Sequence, residues 1–575
     1  FNYKKYLNNN NIFYILNINK INKSELSTNI FYKLKNKIIN IILNQNNYSY
    51  LMSFILGNTS YLNQNIRNKI SLLGISHLFS LSGMHVSLIV LILDKLFKKI
   101  IKNDKLIFII INLFFIVYLF LVNYQISIIR SYLCYLVFKL NEIYKLKYNS
   151  NLLFILITLI SLNINPKYIY STSFQYSYLI TFALIRYSKL IKGNYIKKIF
   201  IVSLLSTLVS LPITIYNNFE FNLLSPFFNI IFVPMVSFIL FPLAFFQFMV
   251  CIFWPLYKVT ILLFELLVDK LSSINSIIIF PKPSIIIIIL YYILLVIILE
   301  LKRRNKSIKK EILLFSLFLI IWKNINLNTN NLVVFNVNQG DSILLKNRNN
   351  ITLIDIAANY QKTYEEEITN YIKSLGFNKI NNLVLTHGDN DHSGSVINLL
   401  NTIKIDKVYF NNNSYNNLEL EIIKKLEEKS IYYQKLDTEI KLSTTTLLNL
   451  NNIESNDENT TSLVLYTVLN NKKILLMGDA DIEAENNLLN QYNLDNIDYF
   501  KVGHHGANTS SSKEFINKIN PKISIISVGK NNRYGHPKDE VLEILKNSKI
   551  YRTDLDGSIE IKLNKDEYKI GTCPP

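Results

Sequence analysis

The chain has 575 residues, half of them hydrophobic, and carries 61 Lys and Arg against 41 Asp and Glu, a formal net charge of +20. That length allows several domains, and the long apolar stretches in its first part exclude a wholly soluble protein. Cys134, Cys251 and Cys573 are the three cysteines, too few and too scattered for a disulfide framework or a zinc knuckle. The charge is unevenly placed. From residue 332 onward there are 27 basic and 32 acidic residues, a balance of −5, which leaves 34 and 9, or +25, in the first 331. A basic excess is read either as a nucleic-acid footprint or, where it flanks apolar spans, as a topology signal.

Residues 1–50 are rich in Asn and Lys, hold only short apolar stretches and show no cleavable signal peptide. They read as an N-terminal remnant or linker, and a start at Phe1 in place of Met points to a fragment or a processed form. Residues 51–325 read as a polytopic all-α membrane domain. Candidate spans lie near 77–97, 105–123, 126–143, 151–164, 173–190, 199–216, 226–250, 253–271, 284–300 and 311–322. About 20 apolar residues cross a bilayer core, so the shorter ones include candidates for re-entrant or interfacial segments. The densest basic loops are Lys98–Lys105, Lys139–Lys147, Arg186–Lys198 and Leu301–Lys310. The positive-inside rule places them in the cytoplasm. With ten spans their parity agrees, and the last span then delivers residue 331 outside the cytoplasm. Within this domain His77, Ser82, Gly83, His85, Arg130 and Gln175 stand where lipid rejects polar groups. Such residues line a polar path or hold helices together by hydrogen bonds; the sequence leaves both open.

Residues 331–575 change texture to short β-rich runs alternating with helical patterns. Asp355, His387, Asp389, Asp391, His392, Asp479, His504, His505 and His536 all follow apolar strands: Thr352–Ile354, Leu383–Thr386, Ile474–Met477, Tyr499–Val502 and Ile523–Val528. Five of the chain's seven histidines lie at these strand ends, a concentration that scattered core histidines do not produce. His387, Asp389, Asp391 and His392 fall within six residues. Imidazole nitrogen and carboxylate oxygen together suit borderline divalent metals, so these side chains, with Asp479 able to bridge, are expected to hold one or two ions, Zn or Mn. Asp391 and Asp389 are the expected catalytic carboxylates. Among the later histidines the choice of ligand stays open, with His504 and His536 best placed at the strand and loop ends. Lys501, Lys530 and Arg533 adjoin the site motifs and are the candidate DNA contacts, because phosphate binding needs clustered cations.

The segment His387-Gly-Asp-Asn-Asp-His392, after a strand and before Ser-Gly, resembles the H-x-[HD]-x-D-H signature of the metallo-β-lactamase fold, with Asp355 and Gly478-Asp479 matching its other acidic motifs. Val337–Ser342, Lys501–Gly506 and Ser527–Pro537 resemble the ComEC family of DNA-uptake competence proteins, as do Leu78–Val86, Phe174-Gln175 and Ser225–Asn229 in the membrane half. The resemblance runs over about residues 50 to 575. It implies a membrane domain that passes single-stranded DNA, followed by an extracytoplasmic αββα sandwich that degrades the strand left outside. It further implies DNA and membrane lipid as partners, a separate DNA receptor and, since no nucleotide-binding P-loop is present, a separate cytoplasmic motor, with homo-oligomerisation open. Two departures stand out. Family members carry an N-terminal OB-like domain that these first 50 residues do not resemble, and Asp389 replaces the His of many metallo-β-lactamase relatives, which shifts the site towards oxygen ligation. The competing reading is a membrane-anchored metallo-hydrolase of another envelope phosphodiester or ester.

Overall fold

The computed structural model describes residues 29–573 apart from 82, 252, 275, 360–361 and 564–567. Two compact units result: residues 1–278 with 283–319, and residues 279–282 with 320–575. The second unit therefore begins slightly before residue 331.

The first unit is helical. Helices occupy all ten apolar stretches. Among the described residues, five helical stretches have the length and composition to cross a membrane: Ser76–Lys98, Asp104–Leu121, Tyr195–Asn218, Ser225–Val250 and Ile285–Arg303. Of the ten expected spans, the other five fall outside this length and composition on account of charge or shortness. Ile126–Ile143 carries Arg130, Lys139 and Glu142, and Trp254–Ser272 carries Lys258, Glu265, Asp269 and Lys270. Ser150–Ile164 and Thr172–Arg186 have 15 residues each, and Lys309–Asn324 has 16. The stretch read as a linker also holds helices, Ile30–Leu43 and Tyr48–Leu56. Tyr48–Leu56 is apolar enough to bury Leu51 and Phe54 in the unit's main core, beside Phe79, Phe232 and Phe264.

The second unit is built on two sheets. One has the strand order β6-β5-β4-β3-β2-β1-β14-β15, from β1 (Asn330–Val334), β2 (Ile343–Asn347), β3 (Asn350–Ile354), β4 (Lys379–Val384), β5 (Lys404–Phe410), β6 (Tyr432–Lys435), β14 (Ser558–Leu563) and β15 (Tyr568–Cys573). The other runs β7 to β13 in sequence order: Glu439–Lys441, Thr446–Asn449, Leu465–Leu469, Lys472–Leu476, Tyr499–Lys501, Ile523–Ile526 and Lys549–Arg552. Side chains alternate between faces along a strand, and the cores separate accordingly. Leu332 and Val334 of β1, Ile343 and Leu345 of β2, and Ile474 and Leu476 of β10 meet between the sheets. Their neighbours Val333 and Leu344 face Ile368, Ile372, Ile422 and Leu426 on the helices outside the first sheet. Leu475 likewise faces Ala484, Leu488, Phe515 and Ile516 on helices outside the second. The result is an αββα sandwich. Strands β3 to β6 are mutually parallel, as are β10 to β13. Open α/β sheets place their sites beyond the carboxyl ends of such strands.

Candidate metal centre

Each strand end delivers a polar side chain to one place. β3 ends at Asp355 and β4 leads through Thr386 to His387 and the turn Asp389–His392. In the second sheet β10 ends at Gly478-Asp479, and β11 at Gly503–Gly506. The loop between β1 and β2 folds back over the metal motif: the Asp341 amide donates to the Asp391 carbonyl at 3.0 Å. Gly340 is required there. Its φ is +122°, and a Cβ on it would meet the Asp391 carbonyl oxygen at 2.3 Å.

The imidazoles are oriented from behind. His392 Nδ1 lies 2.8 Å from Asp355 Oδ2, and Asp355 is itself fixed by the Thr386 amide (2.8 Å) and hydroxyl (2.7 Å). His505 Nδ1 lies 3.0 Å from the Ser527 carbonyl oxygen, which only an N–H can satisfy, and His387 Nδ1 lies 3.1 Å from the Thr386 hydroxyl. Outer partners of this kind fix the tautomer of ligating histidines. In all three the Nε2 atom is then turned inward. His392 Nε2 lies 3.2 Å from Asp479 Oδ1, and His505 Nε2 lies 3.5 Å from Asp479 Oδ2 and 3.6 Å from Asp391 Oδ2. His387 Nε2 lies 3.7 Å from Asp389 Oδ2.

Divalent metal fits this arrangement. The Nε2 atoms of His387, His392 and His505 and Oδ1 of Asp479 are buried without hydrogen-bond partners among the described residues. Four such atoms facing one another are costly unless a cation gathers them. Among the described residues four overlapping groups have their donor atoms within 4.8 Å of one another; two include Asp341, and the other two are His387–His392–Asp479 and Asp391–His392–His505. They share His392, and Asp479 turns one oxygen to each side. Imidazole nitrogens with carboxylates suit a divalent ion, and the oxygen share grows with Asp389 and Asp391.

The electrostatics agree. Burial acts against the charge on His392 but is outweighed by Asp479 and Asp355, which hold its pKa well above the usual imidazole value. Burial likewise opposes ionisation of Asp479, yet His505 and His392 hold its pKa well below the usual carboxylate range. Asp391 is also held low: His505 and His392 overcome the opposing effect of burial. The carboxylates are therefore ionised and their positive partners are drawn to them. A metal ion offers the same compensation without the protons.

The site residues fall out unevenly. His387, His392, Asp391 and Asp479 are brought together, and Asp389 stands at the open side with its side chain 55% exposed. His505, left outside the preferred set, carries its ring into the cluster. The preferred His504 is at the margin, its Nε2 3.9 Å from Asp479 and its Nδ1 3.0 Å from the Thr509 hydroxyl. Both residues take left-handed backbone angles, φ 45° and 55°, so the turn decides which ring enters. His536 is farther out, its ring centroid 6.1 Å from that of His504. Burial pushes its imidazole down to about 4, helped by His505 and His504. Lys501 is corrected outright. It is fully buried and paired with Asp341 beneath the cluster, so it is not a DNA contact; it points inward because β11 is a central strand. Lys530 and Arg533 are exposed on the loop after β12. Asp341, Thr386 and Ser527 were not legible as site residues. Only the Gln-Gly-Asp signal before β2 hinted at the first.

In the helical unit, Arg130 donates to the Ser177 carbonyl (2.8 Å), the Thr181 hydroxyl and the Ser131 hydroxyl (3.2 Å). A Cβ on Gly83 would lie 2.8 Å from its guanidinium. Gly83 and Arg130 thus meet in one polar node. His85 is buried against Phe241, ring centroids 4.4 Å apart. Gln175 donates to the Ile169 carbonyl (2.9 Å), and His77 is exposed on a short turn. Ser82 lies outside the described residues.

An αββα sandwich with a His/Asp cluster at its strand ends, in a chain that also carries membrane-length helices, defines a membrane protein with a metal-dependent hydrolase fold. Residues 335–530 match the metallo-β-lactamase superfamily and residues 54–305 match the competence protein family. The chain thus joins a segment similar to the competence proteins to a segment similar to the metallo-β-lactamase superfamily. It is 24% identical over 618 residues to ComE operon protein 3 of Bacillus subtilis (strain 168), covering all of this chain and 80% of that protein. With Competence protein ComA of Neisseria gonorrhoeae it shares 28% identity over 239 residues, 41% of this chain and 33% of that protein, so the chain spans about a third of that relative. Among solved structures, the metallo-β-lactamase fold protein YhfI from Bacillus subtilis is similar, with a TM-score of 0.30 and 10% identity over 42% of this chain and 100% of that one.

Proposed function

We propose that this chain is a membrane channel for uptake of single-stranded DNA whose metallo-β-lactamase-fold domain is an extracytoplasmic nuclease that degrades the strand not transported. The observation that carries the reading is the union in one chain of a competence-family membrane domain and a complete His/Asp cluster. The part-buried node of Gly83, Arg130, Ser131 and Ser177 adds a polar group between helices of the kind that lines a path. With all ten apolar helices taken as crossings, the basic loops Lys98–Lys105, Lys139–Lys147, Arg186–Lys198 and Leu301–Lys310 share one side and the second domain lies on the other, which supports its facing outward.

His387, His392, Asp479, Asp391 and His505 would hold one or two divalent ions, with Asp389 at the mouth. Bound there, such ions supply the Lewis acidity that activates water and offsets charge on a phosphodiester. The chain's own part is positional. Asp355, Thr386 and the Ser527 carbonyl fix the imidazoles. Asp391, one-third exposed and held ionised by His505 and His392, accepts a hydrogen bond from the attacking water and aims it. DNA and lipid are the direct partners, while a receptor and a cytoplasmic motor are separate proteins on this reading, and assembly of several copies is compatible with it.

The test offers end-labelled duplex DNA to cells expressing this chain. Wild type releases labelled fragments outside and retains one strand within. Asp391→Ala is expected to stop the release, and His85→Ala or Arg130→Ala to lower the retained strand. Release unchanged in Asp391→Ala would refute the nuclease assignment, and release of fragments from another envelope polymer alone would favour the anchored-hydrolase reading.

A further inference from the structure

The loop after β12 carries a feature that the metal cluster does not use. Asn532 clasps it from within. Its side-chain amide donates to the Gly529 carbonyl (3.0 Å) and the His536 carbonyl (2.7 Å), and its side-chain oxygen accepts from the Tyr534 amide (3.2 Å) and the His536 amide (3.0 Å). Lys538 adds a bond from its ammonium to the Tyr534 carbonyl (2.9 Å). Gly535, at φ +65°, supplies the backbone turn that returns His536 beneath Tyr534.

The consequence is an ordered ladder of planar groups. The Tyr534 and His536 rings are parallel within 9°, centroids 5.7 Å apart. The Arg533 guanidinium carbon lies 4.7 Å from the Tyr534 ring centroid, and the same guanidinium donates to the Tyr534 hydroxyl. Inward, His536 is 6.1 Å from His504, and His504 is 6.3 Å from His505 of the cluster. Tyr534 itself is 45% exposed. Its ring stays out of the clasp, which runs through backbone, Asn532 and Lys538, and the ring surface that His536 and Arg533 leave uncovered faces water. Three cations, Lys530, Arg533 and Lys538, stand on the same loop.

An exposed aromatic face, preorganised beside cations and leading to a hydrolytic centre, matches the way single-stranded nucleic acids are held: bases stack on rings while phosphates meet positive charge. We infer that Tyr534 is the stacking platform for a nucleobase of a single strand whose adjoining phosphate lies at the metal cluster. The inference rests on the nuclease reading above and names the part of the substrate that this loop recognises. Stacking is tolerant of base identity, so the platform grips any sequence and discriminates against a strand without bases.

The experiment uses the full chain in nanodiscs with two labelled strands of equal length, oligothymidylate and the same backbone with abasic tetrahydrofuran residues. Binding is measured by fluorescence anisotropy in the presence of chelator, and KM and kcat with Mn²⁺. Tyr534→Ala should weaken binding of oligothymidylate and raise its KM by about tenfold, the scale of one base–aromatic stack, with kcat little changed. Tyr534→Phe should stay within about twofold of wild type. The abasic strand should respond to neither substitution. A Tyr534→Ala variant that treats oligothymidylate as wild type does, or that loses both strands equally, overturns the platform while leaving the nuclease reading in place. A wild type that neither binds nor cleaves either strand removes the nuclease reading and the platform with it.

Discussion

At the scale of single residues, the metal centre depends on side chains that do not themselves contribute a ligand atom. Asp355 is 1% exposed and spends its oxygens on His392 and Thr386. Asp355→Asn should lower metal affinity by about 10–100-fold, the usual effect of losing such a partner, and titration with a chelator-buffered metal series checks it. The two adjacent histidines should separate in the same assay: His505→Ala should lose bound metal, while His504→Ala, which removes a ring at the margin, should retain most of it. Lys501 carries a prediction of a different kind. With Asp341 it forms a pair buried on every side, and removing one partner of such a pair strands the other charge. Lys501→Met should cost about 3–5 kcal/mol of domain stability, read from denaturant unfolding. A loss of DNA binding without loss of stability would be the opposite result.

At the scale of elements, the helix Ile482–Gln491 is tied to the next one through a single carboxyl. Glu485 accepts hydrogen bonds from the Ser511 and Ser512 amides at the start of Lys513–Ile519. Burial pushes its pKa up to about 7, partly opposed by those hydrogen bonds. A carboxyl whose folded pKa lies above its unfolded value favours the fold in its protonated form. Its contribution is whole below the unfolded pKa near 4.5 and is lost as pH rises through about 7. The domain's Tm should therefore fall between pH 5.5 and pH 8, and Glu485→Gln should flatten that slope; equal slopes in both proteins would contradict the assignment. The same scale shows what could be read in advance. Alternating and continuous apolar runs located the strands that end at Asp355, His387, Asp479 and His504, because a strand's pattern is local. Which of His504 and His505 turns inward is set by two left-handed residues in succession, and the burial of Lys501 by the position of β11 between two other strands. Neither follows from local pattern. The helical unit behaves likewise. Its apolar stretches were legible as helices, whereas the charges within 126–143 and 254–272 keep those two from meeting the length and composition of a membrane span on their own.

For the whole molecule, the proposal requires the second unit to face outward and the basic loops to face the cytoplasm. In a chain whose Cys134, Cys251 and Cys573 are replaced by Ser, Ser414→Cys should react with a membrane-impermeant maleimide on intact cells, and Lys306→Cys only after permeabilisation. The reverse pattern would turn the hydrolase domain inward and leave it no access to an incoming strand. The central claim, that this domain is a metal-dependent nuclease, is tested most directly by titrating the purified full chain with Mn²⁺ or Zn²⁺ while bound metal and cleavage of a single-stranded oligonucleotide are followed together. Cleavage is expected to rise with occupancy, and to vanish in Asp391→Ala with the fold intact. A wild-type protein that fills its site with either metal and leaves the strand uncut would contradict the account.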